Sequence, residues 1–326
     1  MEVHREPDSR AKLPPMWDPL ARERHQAAGE TAAAFRPEIG DLHRTPGTSR
    51  SAHLERLETL TDRIWKDYQE RFLRVCGSRA VARYLCRGDM AVRQGPPEFM
   101  DRPGYPELLR KIEIFQLHQL NRMTGVYRAA SRALGELLER VPDRFRSRGF
   151  LDIASGFGGF PVFLAGKFPA VPVTGSDIQP AYVTAATSRA AGLGNASFRV
   201  LNALNMDDCP DSSYCAASIL QAVHHFRPGQ LARIIHEGLR VSCSGMVVVD
   251  AVRSPVLPVL LATGTIFVTW NPFFAADATW SALRMYHLAE LELIARVAAP
   301  EATVEAGRVE PAFNVVRVLR PPVAAG

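Results

Sequence analysis

Cysteine is scarce and shows no pairing pattern. Cys76, Cys86, Cys209, Cys215 and Cys243 make an odd number, none stands at CxxC spacing, and none joins histidines in the usual zinc arrangement. This excludes a disulfide framework, leaves no metal expected, and points to reduced thiols in a cytoplasmic protein. Long apolar runs are lacking too. The segment "PVLPVLLATGTIFVTWNPFF" is uncharged, but Pro258 interrupts it and Thr263, Gly264, Thr265, Thr269 and Asn271 dilute it. A transmembrane segment is therefore not expected, and a buried core or lipophilic substrate wall is favoured over a dimer surface or interfacial anchor. The opening "MEVHREPDSR" is too polar for a secretory leader. Concentrated charge of one sign is missing as well: Lys+Arg 39 against Asp+Glu 34 gives +5, split as 27 against 21 over residues 1–150 and 12 against 13 beyond. Acids interleave with the arginines throughout, so no nucleic acid is expected as a partner.

Residues 1–50 scatter Pro, Gly, Arg and Glu without a sustained apolar period, which predicts a mobile tail. Over residues 51–145 the texture is helical. Leu54, Leu57, Ile64, Trp65, Tyr68 and Phe72 recur at helical spacing, as do Leu108, Leu109, Ile112, Phe115 and Leu120; a third stretch, "YRAASRALGELLERV", ends near Pro142. Such helices serve either as a buttress for a core or as a lid and substrate wall. From residue 146 to 326 the chain reads as α/β. "FLDIA", "VPVTG", "SFRVL", "YCAASIL" and "GMVVVDA" are short β-prone runs, mostly separated by helical segments, and "ATVEAG" and "FNVVRVL" close the chain with a short connection. The alternation predicts a doubly wound, mostly parallel seven-stranded sheet of Rossmann-like type, with a terminal antiparallel pair and an N-terminal helical segment.

The stretch "FLDIASGFGGFP" places three glycines after the first strand. As a dinucleotide fingerprint, Ala154, Gly156 and Gly159 give AxGxxG; as a methyl-donor loop, Asp152, Ala154, Gly156 and Gly158 give DxAxGxG. The glycines alone do not choose, although a P-loop is excluded because no Gly-Lys-Ser/Thr follows. Charge favours the second reading. Asp152 would repel a pyrophosphate, whereas a sulfonium ligand with an ammonium group gains from a carboxylate. Asp177 ends the next strand, 25 residues on, where it can accept ribose hydroxyls of either kind of nucleoside.

From Phe150 to about Asp250 the chain resembles the class I S-adenosylmethionine-dependent methyltransferases, most closely the branch related to ubiquinone and menaquinone C-methyltransferases. The stretches that carry the resemblance are "LDIASGFGG", "TGSD", "VLNALNMDDCPDSSYCAASILQAVHHF" and "MVVVDAVR". The resemblance implies S-adenosyl-L-methionine as cofactor, held by Asp152, Ala154, Ser155, Gly156, Gly158, Asp177, Ile178, Asn202, Ala203 and Gln221. Three departures stand out: Ala154 for the first glycine, Asn202 for an acid that would meet the adenine amine, and Cys215 for a usual Asp. Ala suits the loop unless its position needs positive φ.

Open α/β sheets bind ligands at the carboxyl ends of their strands, which makes His224, His225 and Asp250 the catalytic candidates. Each has a plain structural alternative: a loop role for the histidine pair, and for Asp250 a strand-end cap paired with Arg253. His118 and His287, on predicted helices, are further candidates for the pocket. "NPFF", Asn271 to Phe274, looks like an amino-methylation motif but does not follow the fourth strand, so it is discounted. The expectation is methyl transfer, to oxygen or carbon, onto a small hydrophobic or aromatic molecule, with room for a homodimer. The alternatives are a nucleic-acid or protein methyltransferase and a non-catalytic cofactor-binding scaffold.

Overall fold

The computed structural model describes residues 18–45, 49–77, 80–92, 98–100, 102, 104–309 and 312–321. Among the described residues, six helices precede the first strand: α1 (Ala21–Arg44), α2 (Arg50–Cys76), α3 (Ala80–Val92), α4 (Glu107–Met123), α5 (Val126–Glu139) and α6 (Asp143–Arg146). The alternating region follows as β1 (Phe150–Ile153), α7 (Gly159–Lys167), β2 (Val173–Asp177), α8 (Pro180–Arg189), β3 (Ala196–Val200), β4 (Tyr214–Leu220), a single 3-10 turn over Val223–His225, α9 (Pro228–Val241) and β5 (Ser242–Ala251). Helices α10 (Leu257–Thr269), α11 (Pro272–Arg284) and α12 (Leu288–Ala298) then lead to β6 (Thr303–Val309) and β7 (Phe313–Leu319).

The strands form one seven-stranded sheet in the order β3-β2-β1-β4-β5-β7-β6. β1 pairs in parallel with both β2 and β4, setting Leu151 against Thr174 on one side and Ala217 on the other. β7 runs antiparallel to β5 and β6. All ten residues of β5 are buried, as befits a central strand covered on both faces, and its middle, Met246–Val249, is an apolar run rather than an alternation. The expected sheet and its terminal antiparallel pair are what the chain forms.

Two apolar layers cover the sheet. Leu57, Ile64, Tyr68 and Phe72 of α2 join Leu231 and Ile235 of α9 and Leu291 and Ile294 of α12 on one face. Val126, Ala130, Leu134 and Leu137 of α5 pack with Phe160 and Leu164 of α7 on the other. Helix α5 concentrates its apolar residues on one side, which is why its burial repeats at three- and four-residue intervals.

The mobile tail predicted for residues 1–50 is corrected over Ala21–Arg44, which form α1 with Ala27, Ala28, Thr31, Ile39 and Leu42 buried. Its contact face opens with charged and small residues, Glu23, Arg24, Ala27, Ala28 and Thr31, which do not register as an apolar period. Residues 1–17 lie outside the described residues. The second predicted stripe is also revised. Helix α4 forms, yet Leu108, Ile112 and Phe115 face outward with 71%, 40% and 56% of their surfaces exposed, because α4 packs through Glu113, Ile114 and Asn121 instead.

A buried ionic network ties α1 to the core. Arg24 reaches Asp18 at 3.2 Å and Asp89 at 3.1 Å, Asp89 pairs with Arg253 at 3.0 Å, and His287, the N-cap of α12, lies between Asp18 and Asp89. Burial opposes ionisation of Asp18 and Asp89, but His287 and the arginines beside them outweigh it and hold both carboxyls well below the usual range. His287 therefore belongs to this network.

Candidate functional site

The glycine loop leaves β1 through a run of left-handed residues. Ala154 has φ +53°, Gly156 +53° and Gly158 +72°. The Ala154 position does need positive φ, so an L-residue stands where glycine is the unstrained choice, at a cost of about 1 kcal/mol. Gly158 is also sterically required, since a Cβ there would lie 2.6 Å from the Phe198 ring and 2.8 Å from Ala186. A Cβ on Gly175 would meet the same ring, so one aromatic of β3 fills the space left by two glycines. Above Gly156 the space is open, with no atom within 4 Å of where a Cβ would point.

Asp177, at the tip of β2, holds the loop from the other side. Its Oδ2 accepts the Gly156 amide and its Oδ1 the Gln179 amide, both at 2.9 Å. Each oxygen retains a second lone pair, enough for the two hydroxyls of a ribose. Burial raises the Asp177 carboxyl above its ordinary value, while the backbone amides of Gln179, Gly156 and Ile178 pull it back. Asp152 sits deeper, at 2% exposure, and accepts the Ser218 hydroxyl at 2.7 Å. Burial pushes it up to about 7, with Ser218 opposing and the charge on Asp177 adding to the rise.

The remaining cofactor candidates occupy the carboxyl ends of neighbouring strands. Ile178 follows β2 with 58% of its surface exposed, and Ala203 is buried beyond β3. Asn202 turns its own backbone, its Oδ1 accepting the Leu204 amide at 3.0 Å. Gln221 follows β4 at φ +55° with its amide donated to the Val249 carbonyl. Two features fit the nucleoside ligand implied by the resemblance: the open cradle over Gly156, and the Ser155 hydroxyl, which is buried without a hydrogen-bond partner. Cys215, where an Asp was usual, donates its thiol to the Phe145 carbonyl at 2.7 Å and stays in the core.

His224 and Asp250 meet at the carboxyl edge of β4 and β5. His224 Nδ1 lies 2.9 Å from Asp250 Oδ2, and the other carboxylate oxygen accepts the Ala251 amide. The carboxylate can only accept, so Nδ1 carries the proton and Nε2 is the basic nitrogen. Burial alone would lower the His224 imidazole, but Asp250 reverses this by charge and hydrogen bond and raises it above its ordinary value. The expected pairing of Asp250 with Arg253 is thus corrected: Arg253 is drawn to Asp89 and Asp250 to His224. The His225 ring lies 4.4 Å from that of His224, centroid to centroid, and burial followed by the His224 charge holds it low.

Sequence reasoning missed Glu98. This acid is buried beside both imidazoles, 3.8 Å from His224 Nε2 and 3.9 Å from His225 Nε2, and pairs with Arg284 and Ser281 of α11. It lies in the Pro-rich "QGPPEFM" connection, where no periodicity marks it. His118 approaches from α4, its Nδ1 3.1 Å from the Tyr127 hydroxyl, and both stand where a Cβ on Gly159 would be. Asn271 caps α11 by accepting the Phe273 and Phe274 amides and donates to Gln116 of α4, which gives "NPFF" a structural role.

The matching family model, a methyltransferase domain, spans residues 150–245, from β1 into β5 and including the glycine loop, Asp177 and His224. The chain carries a methyltransferase domain. Among solved structures, the chain is similar to the plantazolicin methyltransferase BamL, crystallised with a triazolic desmethylPZN analogue and SAH, at 14% identity and TM-score 0.52, over 73% of this chain and 98% of that one. It also matches a putative O-methyltransferase from Nostoc punctiforme PCC 73102 at 15% identity and TM-score 0.48, over 72% and 68%. Magnesium protoporphyrin IX methyltransferase from Synechocystis PCC 6803, with SAH bound, matches at 16% and 0.43, over 68% and 91%. At these identities the likeness concerns the fold. No curated protein matches the chain.

Proposed function

We propose that this methyltransferase chain transfers a methyl group from S-adenosyl-L-methionine to a small apolar or aromatic acceptor, with His224 as general base. Asp177 would hold the ribose, Asp152 and the loop over Gly156 and Gly158 the amino-acid end, and Ile178, Asn202 and Ala203 the base. When bound, the cofactor supplies a methyl group on a cationic sulfur, so the chain chiefly contributes position.

The observation that carries the reading is the buried His224–Asp250 pair at the carboxyl edge of the domain. Asp250 fixes the tautomer and raises the basicity of Nε2, suiting it to take a proton from a hydroxyl or an acidic carbon as the acceptor is methylated. The Glu98 carboxylate favours the imidazolium that results, and Arg284 beside it offsets part of that effect. The acceptor wall is read from the cap formed by α4, α10 and α11. Gln116 donates to the Thr269 carbonyl and bonds Asn271, while Asp277 accepts the Phe99 and Met100 amides next to Glu98. Within the class, the "QAVHHF" run supports an affinity with the quinone C-methyltransferase-related branch, and a homodimer and cytoplasmic location remain part of the reading. No helix among the described residues is long and apolar enough to cross a membrane.

The test is incubation with methyl-labelled donor and a native small-molecule extract, followed by mass identification of the labelled product. Label in an apolar small molecule, lost in His224→Gln, supports the proposal. Label in nucleic acid or protein, or donor binding with no transfer to any fraction, overturns it.

A further inference from the structure

Two histidines from neighbouring helices and a third from far along the chain converge on the side of the molecule where the amino-terminal helices meet the core. His43 is in the last turn of α1, His53 in the first turn of α2 and His236 in the middle of α9. Their ring centroids are 5.6, 5.8 and 5.0 Å apart, and one ligand nitrogen from each lies within 4.8 Å of the others. We propose that His43, His53 and His236 form a three-imidazole site for a zinc-class divalent ion, which fastens α1 and α2 to α9.

The outer nitrogens are already arranged for such a site. His43 Nε2 is 2.9 Å from the Val297 carbonyl and His236 Nδ1 is 3.2 Å from the Ala298 carbonyl. A carbonyl only accepts, so these two nitrogens carry protons and the lone pairs are on His43 Nδ1 and His236 Nε2. Metal-bound imidazoles are typically oriented in this way, the distal N–H held by a backbone carbonyl. The Nδ1 of His53 is buried and has no hydrogen-bond partner. Leaving such an atom unmet costs about 1–3 kcal/mol, and a cation shared by three lone pairs removes that cost.

Tetrahedral coordination with bonds of about 2.0–2.1 Å places ligand nitrogens about 3.4 Å apart. From separations of up to 4.8 Å, the ligand nitrogens must close by up to about 1.4 Å through side-chain rotation. Three imidazoles without thiolate or oxygen ligands suit zinc or its late first-row neighbours rather than magnesium or calcium. Glu237 and Glu301 face the cluster with favourable charge and Arg56 with opposing charge. His43 and His236 are half-buried, which leaves a side open for water as fourth ligand. Among the described residues, a second cluster of this kind, Glu98 with His224 and His225, differs because Glu98 already holds Arg284 and Asp250 already holds His224.

The experiment uses the full chain, stripped with a chelator, dialysed and titrated calorimetrically with zinc chloride. One zinc per chain is expected, with a thermal midpoint that rises with zinc concentration. His53→Gln and His236→Gln should each weaken binding by more than ~100-fold, beyond the effect usual for loss of an outer-sphere partner, and His225→Gln should leave it unchanged. X-ray absorption of the zinc-loaded wild type, which needs no variant to fold, should show three imidazoles around the ion. Absence of saturable zinc uptake, uptake insensitive to His53→Gln and His236→Gln, uptake lost in His225→Gln, or a ligand shell with fewer than three imidazoles would overturn the proposal.

Discussion

Donor affinity should depend on pH through Asp152. Its carboxyl is buried, hydrogen-bonded by Ser218 and raised to about 7 in the donor-free chain, burial being the largest cause. A cationic ligand beside it favours the carboxylate, so binding must release the proton wherever it is present. At pH 6 about nine chains in ten carry that proton and at pH 8 about one in ten, so the dissociation constant should fall about tenfold from pH 6 to pH 8. Calorimetry at these two pH values, in buffers of different ionisation enthalpy, reads both the affinity and the proton released. Asp152→Asn should bind more weakly and with a flat pH profile. A wild-type constant unchanged across this range, or the same slope in Asp152→Asn, would refute the reasoning. The sign for stability follows from the same group. A carboxyl raised on folding stabilises the fold fully below its ordinary value of 3.8, and that contribution, about 4 kcal/mol, is lost as pH rises through about 7.

Asp177→Ala removes the acceptor that holds the Gly156 amide and, on our reading, the ribose; donor affinity should drop by roughly tenfold or more, from the 1.5–3 kcal/mol typical of hydrogen bonds to charged groups. Undiminished binding in a titration would dissolve that assignment. Asp250→Asn should lower kcat and move the acidic limb of the kcat profile to lower pH, because the His224 imidazole loses the partner that raises it; an unmoved limb would exclude His224 as the titrating base. Ala154→Gly should change stability by less than about 1 kcal/mol, relief of the left-handed strain being offset by chain entropy, whereas Ala154→Val should destabilise by about 1–3 kcal/mol. Urea melts of the two variants distinguish these outcomes.

The sheet was legible because each strand is a short β-prone run bounded by turn residues or a helix, down to the closing pair "ATVEAG" and "FNVVRVL". Helix α1 was not, since the first half of its buried face consists of Glu23, Arg24, Ala27, Ala28 and Thr31. The candidate site was legible where function is written into local spacing, as in the loop and Asp177. It was illegible where partners come from distant segments: Glu98 reaches His224 across 126 residues of chain, and Arg253 chose Asp89 over its near neighbour Asp250. Local sequence could not reveal the backbone angle at Ala154 either, because a left-handed alanine has the same side chain as any other.

Phe198 gives the loop a dependence on a strand that does not contain it. Its ring occupies volume that side chains at positions 158 and 175 would claim, so the three positions are coupled. Gly158→Ala should be less damaging in a Phe198→Ala background than alone, although the contact with Ala186 and the left-handed backbone angle remain. Related chains that carry a side chain at position 158 should accordingly carry a small residue at position 198, a record of this contact written across lineages rather than within one molecule.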